Sequence, residues 1–313
     1  MTGPAAHGMR MSYDQLPPSV RAYVNEHCGG VAGAVDHPTG FSPGVAATVT
    51  TSAGQLLFVK AVSAEVNAIT RDMHRREAKN LTLLAETGAA PRLIATLDEE
   101  PWTVLVTEHI AGDMPALPWS DDDVRVLVRT ADDLARVTAP TALPPLADEF
   151  ATAFTGWRSL AREGVVPSFL PADFAGRIDA LAAIEHDWIA VAEGDALVHG
   201  DIRGDNLLIE RTPEQARGRL VDWPFACRGN PLLDVVGAAG ALAMQGGPAP
   251  AKFVASTTAG RSASTGQVRA LVIAATGYLV NAARQPPPPG LPTLRAFQRA
   301  QAELFYDWLR ALL

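Results

Sequence analysis

Short apolar runs near the start of the chain, VAGAV (31–35), VAATVTT (45–51) and LLFVKAV (56–62), are split by DHPTGFSPG and SAGQ. Runs of this length between turn residues predict three successive strands. From Asn67 the apolar spacing changes to three and four residues, and NAITRDMHRREAKNLTLLAETG predicts a helix stopped by Gly88 and Pro91. RLIATL and TVLVTEH return to strand texture. After Gly112 the pattern is helical: SDDDVRVLVRTADDLARV opens on a Ser-Asp cap, and EFATAFTGWRSLAREG and FAGRIDALAAIEHDWIAVA follow. ALVHGDIRGDNLLIE then sets two apolar runs around a polar loop, and RLVDW adds a further strand after the turn region RTPEQARG. The remainder reads as helix, broken by two predicted loops, GGPAPAKFVASTTAGRSASTG and QPPPPGLP.

The order of these elements predicts an α+β chain of two lobes. Residues 1–112 form a small β-rich lobe with one helix, and residues 113–313 form a larger helical lobe. Residues 1–12 read as a frayed tail, with Met1, Met9 and Met11 all available as starts. A cleft between two such lobes is a natural small-molecule site. Composition narrows the class further. The chain of 313 residues is 48% apolar and 19% charged, as in ordinary globular proteins. A formal net charge of -8 argues against a nucleic-acid binder that lives on phosphate contacts, and is compatible with a cationic substrate. Cys28 and Cys227 are too few and too far apart for a disulfide framework or a cysteine metal site. No secretory signal opens the sequence, and the apolar stretches VVGAAGALAM and VRALVIAATGYLV fall short of a bilayer span, so a cytoplasmic protein without a membrane partner is expected.

Two groups of residues carry candidate chemistry. At 100° per residue, Met73, Leu81 and Leu84 share a helix face with Glu77, while Arg71, Arg75 and Lys79 lie on the far side, as a solvated surface would. A carboxylate in the middle of an apolar face needs a cation, and Lys60 in the strand LLFVK is the candidate. Without such a pairing both residues would simply reach water at the edge of the lobe. In the loop HGDIRGDN, Gly200 and Gly204 let the backbone double back, so that Asp201 and Asn206 can converge. The turn after Glu210 would bring Asp222 beside them. Asn206 and Asp222 offer hard oxygen ligands suited to Mg²⁺, which leaves Asp201 free to orient and deprotonate a hydroxyl. A polar loop satisfied by its own backbone is the plain alternative.

HGDIRGDN resembles the HGDxxxxN pattern of the aminoglycoside phosphotransferase and choline kinase group, relatives of the protein kinases. VDWPFACRGNPLLDVVG, FVKAV, REAKNLTLL and VLVTEHIAGD are similar, in order, to that group's metal-binding segment, nucleotide-lysine strand, glutamate helix and adenine hinge. The resemblance implies a bilobal kinase-like fold, ATP or GTP with Mg²⁺, and transfer of phosphate to a small-molecule hydroxyl. It further implies that Lys60 holds phosphates and Glu77 fixes it. The backbone of Glu108 and Ile110 pairs with adenine, Asp201 is the base, Asn206 and Asp222 hold the metal, and Asp234 braces the loop. Arg203 stands where relatives carry His or Lys, and either steadies the γ-phosphate or pairs with Asp205. Gly40 and Gly44 would allow close approach of phosphates, although Pro43 removes one donor.

Three rivals remain open from sequence. GFSPG fits G-x-S-x-G, the nucleophile elbow, but VAATVTT after it is strand material where the elbow requires a helix. A metal-dependent phosphoesterase built on His199, Asp201, Asp205 and Asp222 would leave Lys60 and Glu77 without a use. A nucleotide-binding pseudokinase or scaffold would not need both a base and metal ligands. Aminoglycoside-type antibiotics, and hence resistance by O-phosphorylation, are the first expectation for the acceptor. Another small alcohol, an amino alcohol or a macrolide follows.

Overall fold

A computed structural model describes residues 8–313 of the chain. Its first lobe is a five-stranded antiparallel sheet, β1 Val31–Asp36, β2 Val45–Thr51, β3 Leu56–Ser63, β4 Leu93–Glu99 and β5 Trp102–Glu108, in the order β1-β2-β3-β5-β4. Alternation along the strands sorts its two faces. Val45, Ala47, Val49, Leu57, Val59, Ala61, Val104 and Val106 point one way and bury against α1 (Pro18–His27) through Val20 and Val24. Full burial of each such side chain contributes roughly 1.5–3 kcal/mol. The opposite face carries Ala46, Thr48, Phe58, Lys60 and Thr107, all of which line a cavity. Register pairs Ala46 with Lys60 and Thr48 with Phe58, so this face is continuous across β2 and β3.

Helix α2 (Ala64–Leu84) is kinked at Asn67, whose backbone is extended (φ -163°, ψ 105°). Its regular part starts there, because the Asn67 Oδ1 accepts the Thr70 amide at 2.7 Å as an N-cap. The predicted start is therefore a cap. Arg71, expected on a solvated face, is instead buried and paired with Asp98 at 3.2 Å and Glu100 at 2.5 Å on the β4 side. Helical phase alone could not show that β4 supplies carboxylates to that face.

Residues 109–120 link β5 to α3 (Asp121–Leu134), which Ser120 caps by accepting the Asp123 amide. The second lobe continues through α4 Leu146–Glu149, α5 Gly156–Glu163, α6 Ala172–Ala175, α7 Ile178–Ile184 and α8 Trp188–Val191. Two hairpin-like pairs follow, β6 Ala196–Val198 with β9 Cys227–Gly229, and β7 Leu207–Arg211 with β8 Ala216–Leu220. The chain ends in α9 Leu232–Met244, α10 Pro250–Ser256, α11 Thr258–Ser262, α12 Thr265–Ala283 and α13 Leu294–Leu312. One large core joins these helices to Ala78, Leu81, Leu84 and Leu105 of the first lobe.

Three expectations need correction. The single helix drawn over 174–192 is broken into α6, α7, a 3-10 turn and α8. The stretch 246–266, read as loop, contains α10 and α11, started by Pro250 at its first position and by the Thr257 cap. Residues 8–12 are not a frayed tail. The Gly8 amide donates to Gly40 O, the Met9 amide to Gly290 O and the Met11 amide to Gly44 O. Residues 1–7, the rest of that expected tail, lie outside the described residues. Both cysteines are buried and free, and no helix among the described residues is long and apolar enough to cross a membrane.

Candidate active site

Lys60 projects from the cavity face of β3 and finds Glu77 across the gap to α2. Its Nζ donates to both Glu77 oxygens at 2.8 Å and to Asp222 Oδ1, also at 2.8 Å. Glu77 is 3% exposed, so the pairing is an interior one and not the surface alternative. Burial works against charge on Lys60, but the two carboxylates outweigh it and hold its pKa above the ordinary lysine value. Asp222 follows β8 in a left-handed conformation (φ 71°), and among the described residues it is the one non-glycine residue with positive φ. Such strain, of order 1–3 kcal/mol, gathers at functional positions. Burial pushes the Asp222 carboxyl up, yet Lys60 brings it down to about 2.

The polar loop between β6 and β7 is braced from three sides. Asp234, in the first turn of α9, accepts the amides of His199 at 2.8 Å and Gly200 at 2.7 Å. His199 Nε2 lies 3.1 Å from the Val221 carbonyl and must donate to it, so Nδ1 accepts the Asp201 amide at 3.2 Å. Burial lowers the His199 pKa to about 4 and keeps the ring neutral. Asn206 Nδ2 donates to Asp201 O at 2.9 Å and to Asp201 Oδ2 at 3.2 Å. The loop thus doubles back as its glycines allow, with Gly200 at φ 84° and no room for a Cβ beside Phe225. Burial raises the Asp201 carboxyl to about 7, against the pull of Arg203. Arg203 makes a two-pronged contact with Asp205 at 3.0 and 2.9 Å and lies 3.5 Å from Asp201, an anchoring that a role at the phosphate can share.

Of the eleven residues given a role from sequence, ten line one cavity of about 790 Å³: Lys60, Glu77, Asp201, Arg203, Asn206 and Asp222 meet at its polar end with Asp234 behind the loop, Glu108 and Ile110 stand at the link, and Gly40 sits in the β1–β2 loop, while Gly44 does not line it. A Cβ on Gly44 would fall 2.4 Å from the Ala61 carbonyl, so that glycine seats the loop on β3. A Cβ on Gly40 would come within 2.8 Å of Arg10 Nη2. The Glu108 amide is used by Arg92 O at 2.9 Å, which leaves its carbonyl and the Ile110 amide as the hinge groups that could face a base edge. Asp222 Oδ2 and Asn206 Oδ1 take no part in the bonds above. As hard oxygen atoms on fixed side chains, they fit a magnesium ion.

Sequence reading missed several wall residues. Arg10 reaches the cavity from the supposed tail, donates to Thr39 O at 2.5 Å, has Asp222 and Asp205 as electrostatic neighbours, and leaves its buried Nε without a partner. Phe41, at the tip of the β1–β2 loop, meets Phe297 of α13 edge-on at 4.8 Å, and Arg203 packs over both rings at 5.3 and 6.0 Å. Tyr278, Gln298 and Gln301 also line the cavity. Helical phase could mark these as one face of α12 and α13, but nothing local distinguishes a cavity face from a core face.

The sequence pattern of the phosphotransferase enzyme family, termed APH, matches residues 48–271, well over half of the chain. No curated protein sequence matches it. Among solved structures, choline kinase LicA from Streptococcus pneumoniae superposes with a TM-score of 0.57 at 15% identity, covering 92% of this chain and 99% of its own. A choline/ethanolamine kinase family protein from Mesorhizobium loti gives 0.55 at 18% identity, over 94% of each chain. An aminoglycoside-3'-phosphotransferase of type VIII gives 0.54 at 24% identity, over 79% of this chain and 93% of that one. At such identities the likeness is one of fold, the bilobal arrangement of the kinases.

Proposed function

The chain belongs to the phosphotransferase enzyme family, and from that premise we propose that it moves the γ-phosphate of ATP, or GTP, to a hydroxyl of a small molecule. One observation carries the reading. Lys60, Glu77 and Asp222 form a single ionic contact at the wall of a cavity that also receives Asp201. A salt bridge serving stability alone has no need of a neighbouring carboxyl held near neutrality, nor of a strained aspartate.

The nucleotide lies between the β2–β3 face and the link, with adenine against the Glu108 carbonyl and the Ile110 amide. LicA, of the same fold, has been crystallised in complex with AMP, which supports a nucleotide as ligand here. Lys60 contacts the phosphates, and Glu77 keeps its ammonium aimed. Asp222 and Asn206 would hold magnesium, which when bound would neutralise charge on the phosphates. Asp201, its carboxyl raised by burial, accepts the acceptor's proton. The acceptor oxygen bonds to the γ-phosphorus as the bond from that atom to the β–γ bridging oxygen breaks. The bridging oxygen keeps the electron pair and departs on ADP. Arg203, anchored by Asp205, steadies the transferred group. Candidate acceptors are aminoglycosides, with antibiotic resistance as the consequence, and otherwise small alcohols, amino alcohols or macrolides. A reaction that consumes ATP suits the cytoplasm.

The test is ADP formation with Mg²⁺ over a panel of these acceptors, together with Asp201→Ala. The variant should bind ATP as the wild type does and lose on the order of 10²–10⁴ in rate. Undiminished turnover in Asp201→Ala, or a wild type that does not bind ATP, contradicts the proposal.

A further inference from the structure

The cavity wall beyond Asp201 says what kind of acceptor fits. A polycation such as an aminoglycoside needs carboxylates free to receive its ammonium groups, because a cation brought out of water without a partner is costly. The cavity is lined by several carboxylates, but they are already engaged. Glu77 and Asp222 share Lys60, and Asp201 and Asp205 share Arg203. Glu149 meets Arg76, Glu108 meets Arg219 at 3.4 Å, and Asp234 takes the two loop amides. Asp113, exposed on the link and bridged through its backbone to Ile209 of β7, is the one lining carboxylate with no side-chain partner among the described residues, too few for a polycation.

The wall contributed by α9, α12 and α13 carries no charged side chain besides Asp234. Leu233 and Val236 of α9, Leu271 and Leu279 of α12, and Phe150 give it an apolar surface. Its polar groups are the Tyr278 hydroxyl and the amides of Gln298 and Gln301. Tyr278 keeps 38% of its surface accessible although α12 is a core helix, because it opens into the cavity. Its hydroxyl accepts from Gln298 Nε2 at 3.4 Å, and the Gln298 Oε1 is in turn fixed by Arg295 at 2.8 Å. Phe297, next to Gln298 on α13, lies 6.0 Å from the guanidinium of Arg203, which is itself 3.5 Å from the Asp201 carboxylate, so this neutral set is on the catalytic-loop side of the cavity. Such a wall suits an apolar body carrying a few hydroxyl or carbonyl groups.

Resting on the phosphotransferase reading, we propose that the acceptor is an uncharged, largely apolar cyclic alcohol, and not a polyamine. The chemistry is the transfer described above, with one acceptor hydroxyl at Asp201 and the ring system against α9 and α12.

The experiment measures kcat/KM for ADP formation with MgATP and two sets of acceptors. One set is neutral: erythronolide B with other macrolactone and polycyclic alcohols. The other is cationic: kanamycin, streptomycin and choline. Binding of a fluorescent ATP analogue is measured alongside. At least one neutral alcohol should exceed every cation by tenfold or more. Turnover of a cation at equal or higher kcat/KM, or no turnover of any neutral alcohol above ATP hydrolysis without acceptor, overturns the inference. If the ATP analogue binds and Asp201-dependent transfer goes to kanamycin, the acceptor class alone has failed. If the analogue does not bind, the phosphotransferase reading has failed with it.

Discussion

At the scale of single residues, the pairing of Lys60 with Glu77 was legible because an apolar helix face cannot carry an unpartnered carboxylate. The second carboxylate on Lys60 was not, since Asp222 arrives from 162 residues away. That difference changes an expectation. Lys60→Ala strands the buried Glu77 and the part-exposed Asp222, so besides weakening nucleotide binding it should cost about 3 kcal/mol of stability, the low end for breaking a buried pair. Denaturant titration checks this, and adding Glu77→Gln should recover part of the loss. Asp201 makes a prediction about pH. Its carboxyl is raised to about 7 and acts as base only when ionised, so kcat/KM should fall about tenfold per unit as pH drops below 7 and level off above it. A profile flat from pH 5.5 to 8 removes Asp201 from the role. Arg10 could not be read as functional, because its neighbours MTGPAAHGM carry no periodicity. Its guanidinium over Gly40 and beside Asp222 predicts that Arg10→Ala raises the KM for ATP about tenfold, roughly 1.4 kcal/mol, with Tm little changed.

At the scale of elements, strands and long helices followed from periodicity, and β2 falls on the predicted span. The misses have local causes. Gly176 and Arg177 break the run at 174–192, where the apolar residues continue to bury but the backbone turns. In 246–266 the Gly, Pro and Ser content concealed two short helices whose caps supply the start signals. The cap on α2 was within reach of the sequence, but its second role was not. Asn67 Nδ2 donates to Pro289 O at 2.6 Å and so ties α2 to the proline-rich segment before α13. Asn67→Ala should therefore lose more than an ordinary cap, about 1–2 kcal/mol. A change in Tm under 1 °C would show that neither bond matters. Gly44→Ala should fail at the fold and not at the nucleotide, because positive φ and the Ala61 carbonyl both reject a side chain.

At the scale of the whole molecule, the order of strands, helix, link and helical lobe was recoverable from pattern and the loop motif together. What pattern could not supply is how the lobes close on one another. Residues 8–11, the loop around Gly40, the segment at Pro289 and Gly290, and the Phe41–Phe297 contact form one seam over the polar end of the cavity. The seam joins parts of the chain nearly 300 positions apart, and no local signal encodes it. Within that enclosure Lys60 and Arg203 are each held by two carboxylates. The most direct test is a crystal structure with a non-hydrolysable ATP analogue and Mn²⁺, with the metal located by its anomalous scattering. The account predicts one manganese peak ligated by Asp222 and Asn206, Lys60 on the phosphates, and the Asp201 carboxyl facing the terminal phosphate. A nucleotide bound elsewhere, or a metal that touches neither Asn206 nor Asp222, would contradict it.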